Sequence, residues 1–211
     1  ETIQGEGGDS HFRPEFFQAL REMADEHDAL LIYDEVQCGW GTTGKWWAYQ
    51  HHGVAPDVLC FGKKAQTCGI LAGRRLEEVE NHVFEQSSRI NSTWGGNLVD
   101  MVRSGHIIDA IVDERLLENV TGAGKHAIDR LRELEREFPS LVSQPRGLGG
   151  MIAFDLPTTD QRNRLRRDAF RNGLLVLACG PRSIRFRPAL TITVEELDEG
   201  IARLRECLKH L

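Results

Sequence analysis

The sequence predicts an α/β fold whose first part alternates strands with helices and whose second part is a smaller α+β unit. Two short apolar runs, 29–33 and 58–61, are typical of buried parallel strands, because each stops at polar loop residues. The stretch from 98 to 138 instead places apolar residues at helical spacing. Apolar residues make up 40% of the 211 positions and charged residues 27%, which is an ordinary globular composition.

The first part contains one clear helix and a few strands. The helix is predicted after Arg13-Pro14, since proline is tolerated in a first turn and apolar residues follow at helical spacing. The other predicted elements are strands at 29–33, 58–61 and 70–72 and a short helix at 75–83. These strands are too few for a complete parallel sheet, so residues 1–97 are interpreted as the end of a larger domain.

The second part begins with a connection between two predicted domains. Apolar residues on one stripe predict a connecting helix at 98–118, and a capping box of Thr193 and Glu196 begins a final helix. Between them the patterns predict helices at 127–138 and 160–172 and strands at 151–156, 174–177 and 184–187. Residues 119–211 are therefore predicted to form a small C-terminal α+β domain.

Charge, hydropathy and cysteine usage exclude several classes of protein. A net charge of −6 argues against a nucleic-acid partner, because phosphate binding requires a basic face. No apolar run approaches the ~18 residues that span a membrane. The five cysteines form no CxxC pair, which favours reduced thiols and a cytoplasmic location. The histidines are not at metal-ligand spacing, so no metal is expected.

The strongest candidate for chemistry combines Asp34, Gln37 and Lys63. Asp34 ends the first predicted strand and Lys63 follows the second, so both are expected at one edge of the sheet, where ligands collect. A partly desolvated lysine forms Schiff bases, and an acid beside a pyridine nitrogen keeps a pyridoxal 5′-phosphate (PLP) ring protonated. The same spacing is explained equally well if Asp34 and Lys63 form a structural ion pair, or if both are surface residues where loops begin.

Three further motifs are weaker. The sequence GWGTTG at 39–44 matches GxGxxG, but DEVQC separates it from the strand, so we interpret it as a glycine loop and not as a dinucleotide site. Ser92 and Thr93 precede a glycine turn, which suits a phosphate and equally a plain turn. Arg185 and Arg187 share one strand face, which suits either a carboxylate or solvent.

Taken together, these segments resemble the class III (ω-amino acid) PLP-dependent aminotransferases. The stretch LLIYDEVQCGWGTTGKWWAYQHHGVAPDVLCFGKK has the family's aspartate, glycine loop, PD pair and lysine, and STWGGN and IRFRPAL match two further motifs. The resemblance covers essentially the whole chain. It implies the C-terminal part of a PLP-dependent transferase of fold type I, with the large PLP-binding domain ending at 97. Within the family, FGKKAQTCGILAGRR and SRINSTWGGN are most similar to members that act on L-lysine.

The resemblance implies roles around the cofactor. Lys63 is expected to hold PLP as a Schiff base and to shuttle a proton between the substrate carbon and the cofactor. It is preferred to Lys64 because the family lysine lies six residues after the aspartate of the PD pair. Asp34 is expected to pair with the pyridine nitrogen, Val36 to pack on the ring and Gln37 to bond the ring 3′-oxygen.

Other matches imply a phosphate site and a substrate site. Thr93, with Ser92, is expected to reach the phosphate of the neighbouring subunit in a homodimer with shared active sites. Arg185 is expected to hold a substrate carboxylate, with Asn91 also in the substrate site. Glu6 resembles a gating glutamate that pairs with Arg185 for the amino donor and moves away for 2-oxoglutarate. The implied reaction converts L-lysine and 2-oxoglutarate to 2-aminoadipate 6-semialdehyde and glutamate.

The resemblance leaves departures and alternatives open. Thr42 stands where the family loop usually has arginine. The family's N-terminal half, with a second phosphate loop and a ring-stacking aromatic residue, is expected to lie outside this sequence. The alternatives are another ω-aminotransferase (acting on ornithine, acetylornithine or 4-aminobutyrate), a non-catalytic fragment that only dimerises, and an NAD-binding oxidoreductase based on GxGxxG.

Overall fold

Five α-helices and nine short strands make up residues 1–90 and 96–211, the part of the chain that the computed structural model describes. The helices are α1 (Pro14–Glu26), α2 (Leu98–Asp113), α3 (Leu116–Glu137), α4 (Thr159–Arg171) and α5 (Val194–Leu208). The strands are β1 (Ile3–Gln4), β2 (Ser10–His11), β3 (Ile32–Asp34), β4 (Val58–Phe61), β5 (Gly69–Ala72), β6 (Ser143–Leu148), β7 (Met151–Asp155), β8 (Leu177–Cys179) and β9 (Ser183–Phe186). Short 3-10 helices lie at Ala48–His51, Lys63–Ala65 and Arg74–Glu78.

A three-stranded sheet of order β3-β4-β5 forms the framework of the first part. Strands β3 and β4 are parallel, with Asp34 opposite Cys60, and β5 runs antiparallel to β4. The parallel pair lies where the sequence predicts it, but the run at 29–33 is not the buried strand expected, since Ile32 is 57% exposed. Parallel sheets are normally covered on both faces, and no described element covers the side of β3 that carries Ile32.

A four-stranded antiparallel sheet of order β6-β7-β9-β8 forms the second part, with α3 and α4 against it and α5 packed on both of these helices. Its core contains fully buried apolar side chains from each layer, namely Leu131, Phe154, Leu165, Ile184 and Leu204. The capping box of Thr193 and Glu196 is confirmed at the start of α5. Apolar periodicity predicts these helices well because one face of each is buried in a single core.

Several elements differ from the sequence-based expectation. The helix predicted at 75–83 is the 3-10 turn Arg74–Glu78, and the strand predicted at 174–177 is β8, at Leu177–Cys179. Strand β6 and the β1–β2 hairpin were not predicted, because a proline and a glycine-rich loop interrupt any alternation of apolar residues. Such short strands depend on their partners, so local pattern carries little information about them.

The helix predicted to connect two domains, 98–118, is two helices. Helix α2 ends at Asp113 and α3 begins at Leu116, because Arg115 takes a left-handed conformation with φ of 54°. The apolar stripe nevertheless continues across the turn, since Ile111 and Leu116 pack in the same buried cluster. Periodicity alone therefore does not reveal the break.

The GWGTTG loop packs against α3 and is a glycine loop, as interpreted from its sequence. Gly41 and Gly44 have φ of 82° and 88°, values that favour glycine. A Cβ at Gly44 would lie 2.1 Å from Thr121 Oγ1, so only glycine permits this approach. The loop reaches the cluster that also buries Ala65, and Ala65 ends the turn that carries Lys63.

Candidate active site

Lys63 lies directly after β4, in a backbone turn fixed from several sides. Its φ of 40° is left-handed, which is unusual for a side chain other than glycine. Ala65 N donates to Gly62 O (3.0 Å), and the Gln66 side-chain amide donates to Lys63 O (3.1 Å). Ala65 is fully buried, so the turn is anchored while the Lys63 side chain remains exposed at a cavity.

The neighbouring lysine is engaged elsewhere. Lys64 Nζ donates to Pro188 O at 3.1 Å, across 124 positions of sequence. Burial lowers the pKa of Lys64, and the nearby charge of Arg187 acts in the same direction. Of the two adjacent amines, Lys63 is therefore the one available to a ligand in the cavity.

Asp34 is the last residue of β3, and Val36 and Gln37 lie in the turn that follows it, next to the turn of Lys63. The Asp34 carboxylate is exposed and accepts one hydrogen bond, from Val36 N (3.0 Å). Val36 lies over Gly62, where an added Cβ would come within 3.4 Å of its side chain. The parallel pairing of β3 with β4 thus brings both strand ends to one edge, as parallel strands require.

Glu6 and Arg185 form an ion pair on the same cavity. Glu6 lies in the loop of the β1–β2 hairpin and Arg185 on β9, and Arg185 Nη2 donates to Glu6 Oε1 at 2.5 Å. This hydrogen bond holds the pKa of Glu6 below its ordinary value. The Nε and Nη1 atoms of Arg185 are buried and have no hydrogen-bond partner among the described residues. They provide a free fork of donors of the kind that binds carboxylates.

Several of these residues open onto one cavity of about 790 Å³. Glu6, Gln37, Lys63 and Arg185 line it, which brings together four side chains separated by up to 179 positions. Gln37 Nε2 lies 3.5 Å from Glu6 Oε1. The volume is in the range of sites for small ligands and cofactors.

Two buried carboxylates at the site were not identified from the sequence. Glu35 is 1% exposed and accepts from Ala48 N (2.6 Å) and Tyr49 N (2.7 Å), and burial raises its pKa. Asp9 is fully buried and paired with Arg187. The available signals were Glu35 beside Asp34 in the DEVQ turn and an acid in a glycine-rich loop, and neither is specific alone.

His52 lies in the turn that follows the 3-10 helix Ala48–His51. Its ring stacks on Phe17 with 3.8 Å between the ring centroids, and burial lowers its pKa to about 4. Asn91, Ser92 and Thr93 lie between the described ranges 1–90 and 96–211, so their roles remain predictions.

Two further findings concern the described part of the chain. Within it, no group of three or more histidine, cysteine or acidic side chains is arranged to hold a metal ion. None of the helices in these ranges combines the length and apolar character that a membrane crossing requires.

The fold and the lysine–acid–arginine site define a PLP-dependent aminotransferase, and the comparisons agree: residues 1–208 match the family "Aminotransferase class-III". The chain belongs to this family, as its motifs predicted, and PLP is the cofactor of the family. L-lysine-epsilon aminotransferase of Mycobacterium tuberculosis (strain ATCC 25618 / H37Rv) is 54% identical over 99% of this chain and 46% of the relative. That of Amycolatopsis lactamdurans is 50% identical, also over 99% of this chain and 46% of the relative.

Among solved structures, the lysine aminotransferase from M. tuberculosis in the internal aldimine form superposes with a TM-score of 0.96. It is 54% identical and covers all of this chain, which in turn covers 48% of that structure. The α/β fold and its assignment to this class of transferase are therefore confirmed. The chain spans about half the length of the curated relatives it matches. Relatives named 4-aminobutyrate aminotransferase are 35–40% identical.

Proposed function

We propose that the protein transfers the ε-amino group of L-lysine to 2-oxoglutarate with PLP as cofactor, and releases 2-aminoadipate 6-semialdehyde and glutamate. The observation that carries the proposal is the meeting of Lys63, Glu6 and Arg185 on one cavity. Lysine is favoured over ornithine, acetylornithine or 4-aminobutyrate as the donor, because relatives named for lysine are 48–54% identical to this chain.

The donor set of the cavity suits PLP. Lys63, on the cavity, would supply a primary amine for the cofactor aldehyde. Asp34, at the end of the strand paired with β4, has an exposed carboxylate that would accept a pyridine N–H. Val36 supplies an apolar surface for the ring, and the Gln37 amide supplies a donor for the 3′-oxygen. Both residues are half-buried, and Val36 lies over Gly62, the residue before Lys63.

PLP supplies an electron sink that stabilises negative charge on the carbon bonded to the transferred nitrogen. The chain's own contribution is to move the proton. Lys63 Nζ takes the proton from the ε-carbon of the bound amine and gives it to the cofactor. The anchored turn at Gly62, Ala65 and Gln66 holds this amine near one position, which limits the distance over which the proton travels.

Arg185 and Glu6 allow one pocket to accept two different substrates. With Glu6 at 2.5 Å, the guanidinium charge is compensated, which suits a cationic amino donor. Glu6 is 67% exposed and has space to move, whereas Arg185 is 10% exposed and stays in place. When Glu6 turns away, Arg185 Nη2 is released and donates to the carboxylate of 2-oxoglutarate instead.

The remaining assignments are proposed from the family motifs together with surface and core features. Thr93, with Ser92, binds the phosphate of the PLP held by the neighbouring subunit of a homodimer, and Asn91 lies in the substrate site. Exposed apolar residues on α2 support a subunit interface, namely Leu98 (77%), Val99 (66%), Met101 (53%) and Val102 (63%). Five unpaired cysteines support a cytoplasmic location.

We propose that residues 1–97 are the C-terminal portion of the large PLP-binding domain, that 98–118 connect the domains, and that 119–211 form the small C-terminal α+β domain. The core cluster of the second part supports this division. All of its members lie between residues 123 and 211, so the last segment has a hydrophobic core of its own.

Borohydride reduction of the PLP-loaded enzyme tests the site directly. A phosphopyridoxyl group is expected on Lys63 in the peptide that also contains Lys64, and fragmentation distinguishes the two. Lys63→Arg is expected to abolish both the modification and product formation, while Lys64→Arg retains the modification. Modification at Lys64 would refute the assignment. Failure to form semialdehyde from lysine, with activity on another amine, would refute only the choice of donor.

A further inference from the structure

Asp9 is a fully buried carboxylate beside the Glu6–Arg185 pair, with no part in the proton transfer described above. It closes the hairpin loop that carries Glu6 and has a left-handed φ of 51°. Both of its oxygens bind one guanidinium: Arg187 Nη1 donates to Oδ2 at 2.7 Å and Arg187 Nη2 donates to Oδ1. Burial of a carboxylate is costly unless it is paired, so this contact accounts for the charge at Asp9.

Arg187 is the second cation on the strand face that carries Arg185. The two arginines lie two positions apart and both line the cavity. Arg185 uses one nitrogen for Glu6 and keeps two that have no partner in the described ranges, whereas Arg187 is held at both terminal nitrogens. Without Asp9, both guanidiniums would attract the same carboxylates, either Glu6 or a substrate.

The backbone of the Glu6 loop is fixed at both ends of the segment from Glu6 to Asp9. Gly180 N donates to Glu6 O at 2.8 Å. Arg146 Nε lies 3.2 Å from the carbonyl oxygens of both Gly8 and Asp9, and its Nη2 donates to Asp155 Oδ1 at 2.8 Å. The exposed Glu6 side chain can therefore exchange position while its backbone stays on the sheet that carries Arg185.

We propose that Asp9 is a positioning residue that neutralises Arg187, so that Arg185 is the arginine that meets Glu6 in one half-reaction and a substrate carboxylate in the other. This inference rests on the proposed function. It predicts that loss of the Asp9 charge affects the two half-reactions differently. Without the Asp9 charge, the cationic amino donor faces two guanidiniums and a single compensating carboxylate, that of Glu6. The dianionic acceptor tolerates the extra positive charge.

Half-reaction kinetics of the PLP-loaded enzyme test the proposal. Asp9→Asn is expected to raise the KM for the amino donor about tenfold and to change the KM for 2-oxoglutarate less than about threefold. The double variant Asp9→Asn/Arg187→Gln removes the uncompensated cation as well. Its donor KM is expected to return to within about threefold of the unsubstituted enzyme. Asp129→Asn, at an exposed pair on α3, serves as the control and is expected to change neither constant.

Equal changes in the two half-reactions, or a double variant no better than Asp9→Asn, would overturn the proposal, because a merely structural pair produces that result. If Asp9→Asn does not load PLP, the double variant decides. A donor KM near that of the unsubstituted enzyme supports the proposal, and a tenfold increase or loss of PLP loading overturns it. If the unsubstituted enzyme does not convert lysine, the proposed function fails and the same ratio is measured with the amine it accepts.

Discussion

Replacement of Glu35 by glutamine tests how the cofactor edge of the sheet is supported. Glu35 is 1% exposed and receives three hydrogen bonds, from Ala48 N (2.6 Å), Tyr49 N (2.7 Å) and Thr2 Oγ1 (3.1 Å). It therefore links the turn between Asp34 and Gln37 to the 3-10 helix at Ala48 and to the strand before Glu6. Both carboxylate oxygens face backbone N–H donors, an arrangement that only a carboxylate satisfies.

The expected cost follows from these contacts. In Glu35→Gln, one oxygen becomes an NH₂ group that faces a buried backbone N–H, so one charge-assisted hydrogen bond is lost and two donors oppose each other. A hydrogen bond to a charged group contributes about 1.5–3 kcal/mol, and an unpaired buried donor costs about 1–3 kcal/mol. We expect a loss of about 3 kcal/mol in the free energy of unfolding. For domains of about 150–250 residues this corresponds to a melting temperature lower by about 6–12 °C.

Thermal melting of the PLP-loaded enzyme, followed by circular dichroism and by cofactor absorbance, measures the effect. Glu22→Gln is the matched control, because Glu22 is exposed on α1 and accepts one hydrogen bond within residues 1–90 and 96–211, from the Gln18 side chain (3.0 Å). The control is expected to shift the melting temperature by less than about 2 °C. A Glu35→Gln enzyme that melts within 1–2 °C (roughly the control's range) of the unsubstituted protein would show that the three bonds do not support the site.

Two further substitutions have effects that the structure determines. Gly124→Ala places a Cβ 2.2 Å from Gly149 O, so α3 must move, and urea titration is expected to show a loss of about 2–4 kcal/mol in the free energy of unfolding. The control Gly122→Ala, whose Cβ has no atom within 4 Å, is expected to add about 0.5–1 kcal/mol. Equal effects of the two substitutions would refute this packing. Burial lowers the pKa of His52 from 6.5 to about 4. The contribution of neutral His52 to the free energy of unfolding is therefore fully present above pH 6.5 and is lost as the pH falls toward 4, because the unfolded chain binds the proton at the higher pH. Partial exposure limits this loss to about 1–2 kcal/mol, and His52→Phe is expected to remove it while His210→Gln does not; an unchanged pH profile in His52→Phe would contradict this interpretation.

The helices of the second part and the two strand ends at the cofactor edge were predictable from local pattern. Apolar spacing predicts α4, α5 and the C-terminal half of α3 because each buries one face in a single core, and the capping box locates the start of α5. The helix predicted at 127–138 begins earlier, at Leu116. The break at Arg115 was not predictable, since the apolar stripe continues across it. Strand β6 and the β1–β2 hairpin also escaped prediction, because their hydrogen bonds come from partners distant in sequence.

The sequence by itself determined the family and predicts Lys63 as the reactive lysine, because the order of acid, glycine loop and lysine is visible in the linear sequence. Only the tertiary structure decided which neighbouring groups are free and which are engaged. Lys64 is hydrogen-bonded to Pro188 and Arg187 to Asp9, whereas two Arg185 nitrogens have no partner among the residues that the structure describes. These distinctions arise from contacts between residues more than 100 positions apart, and local pattern carries no record of such contacts.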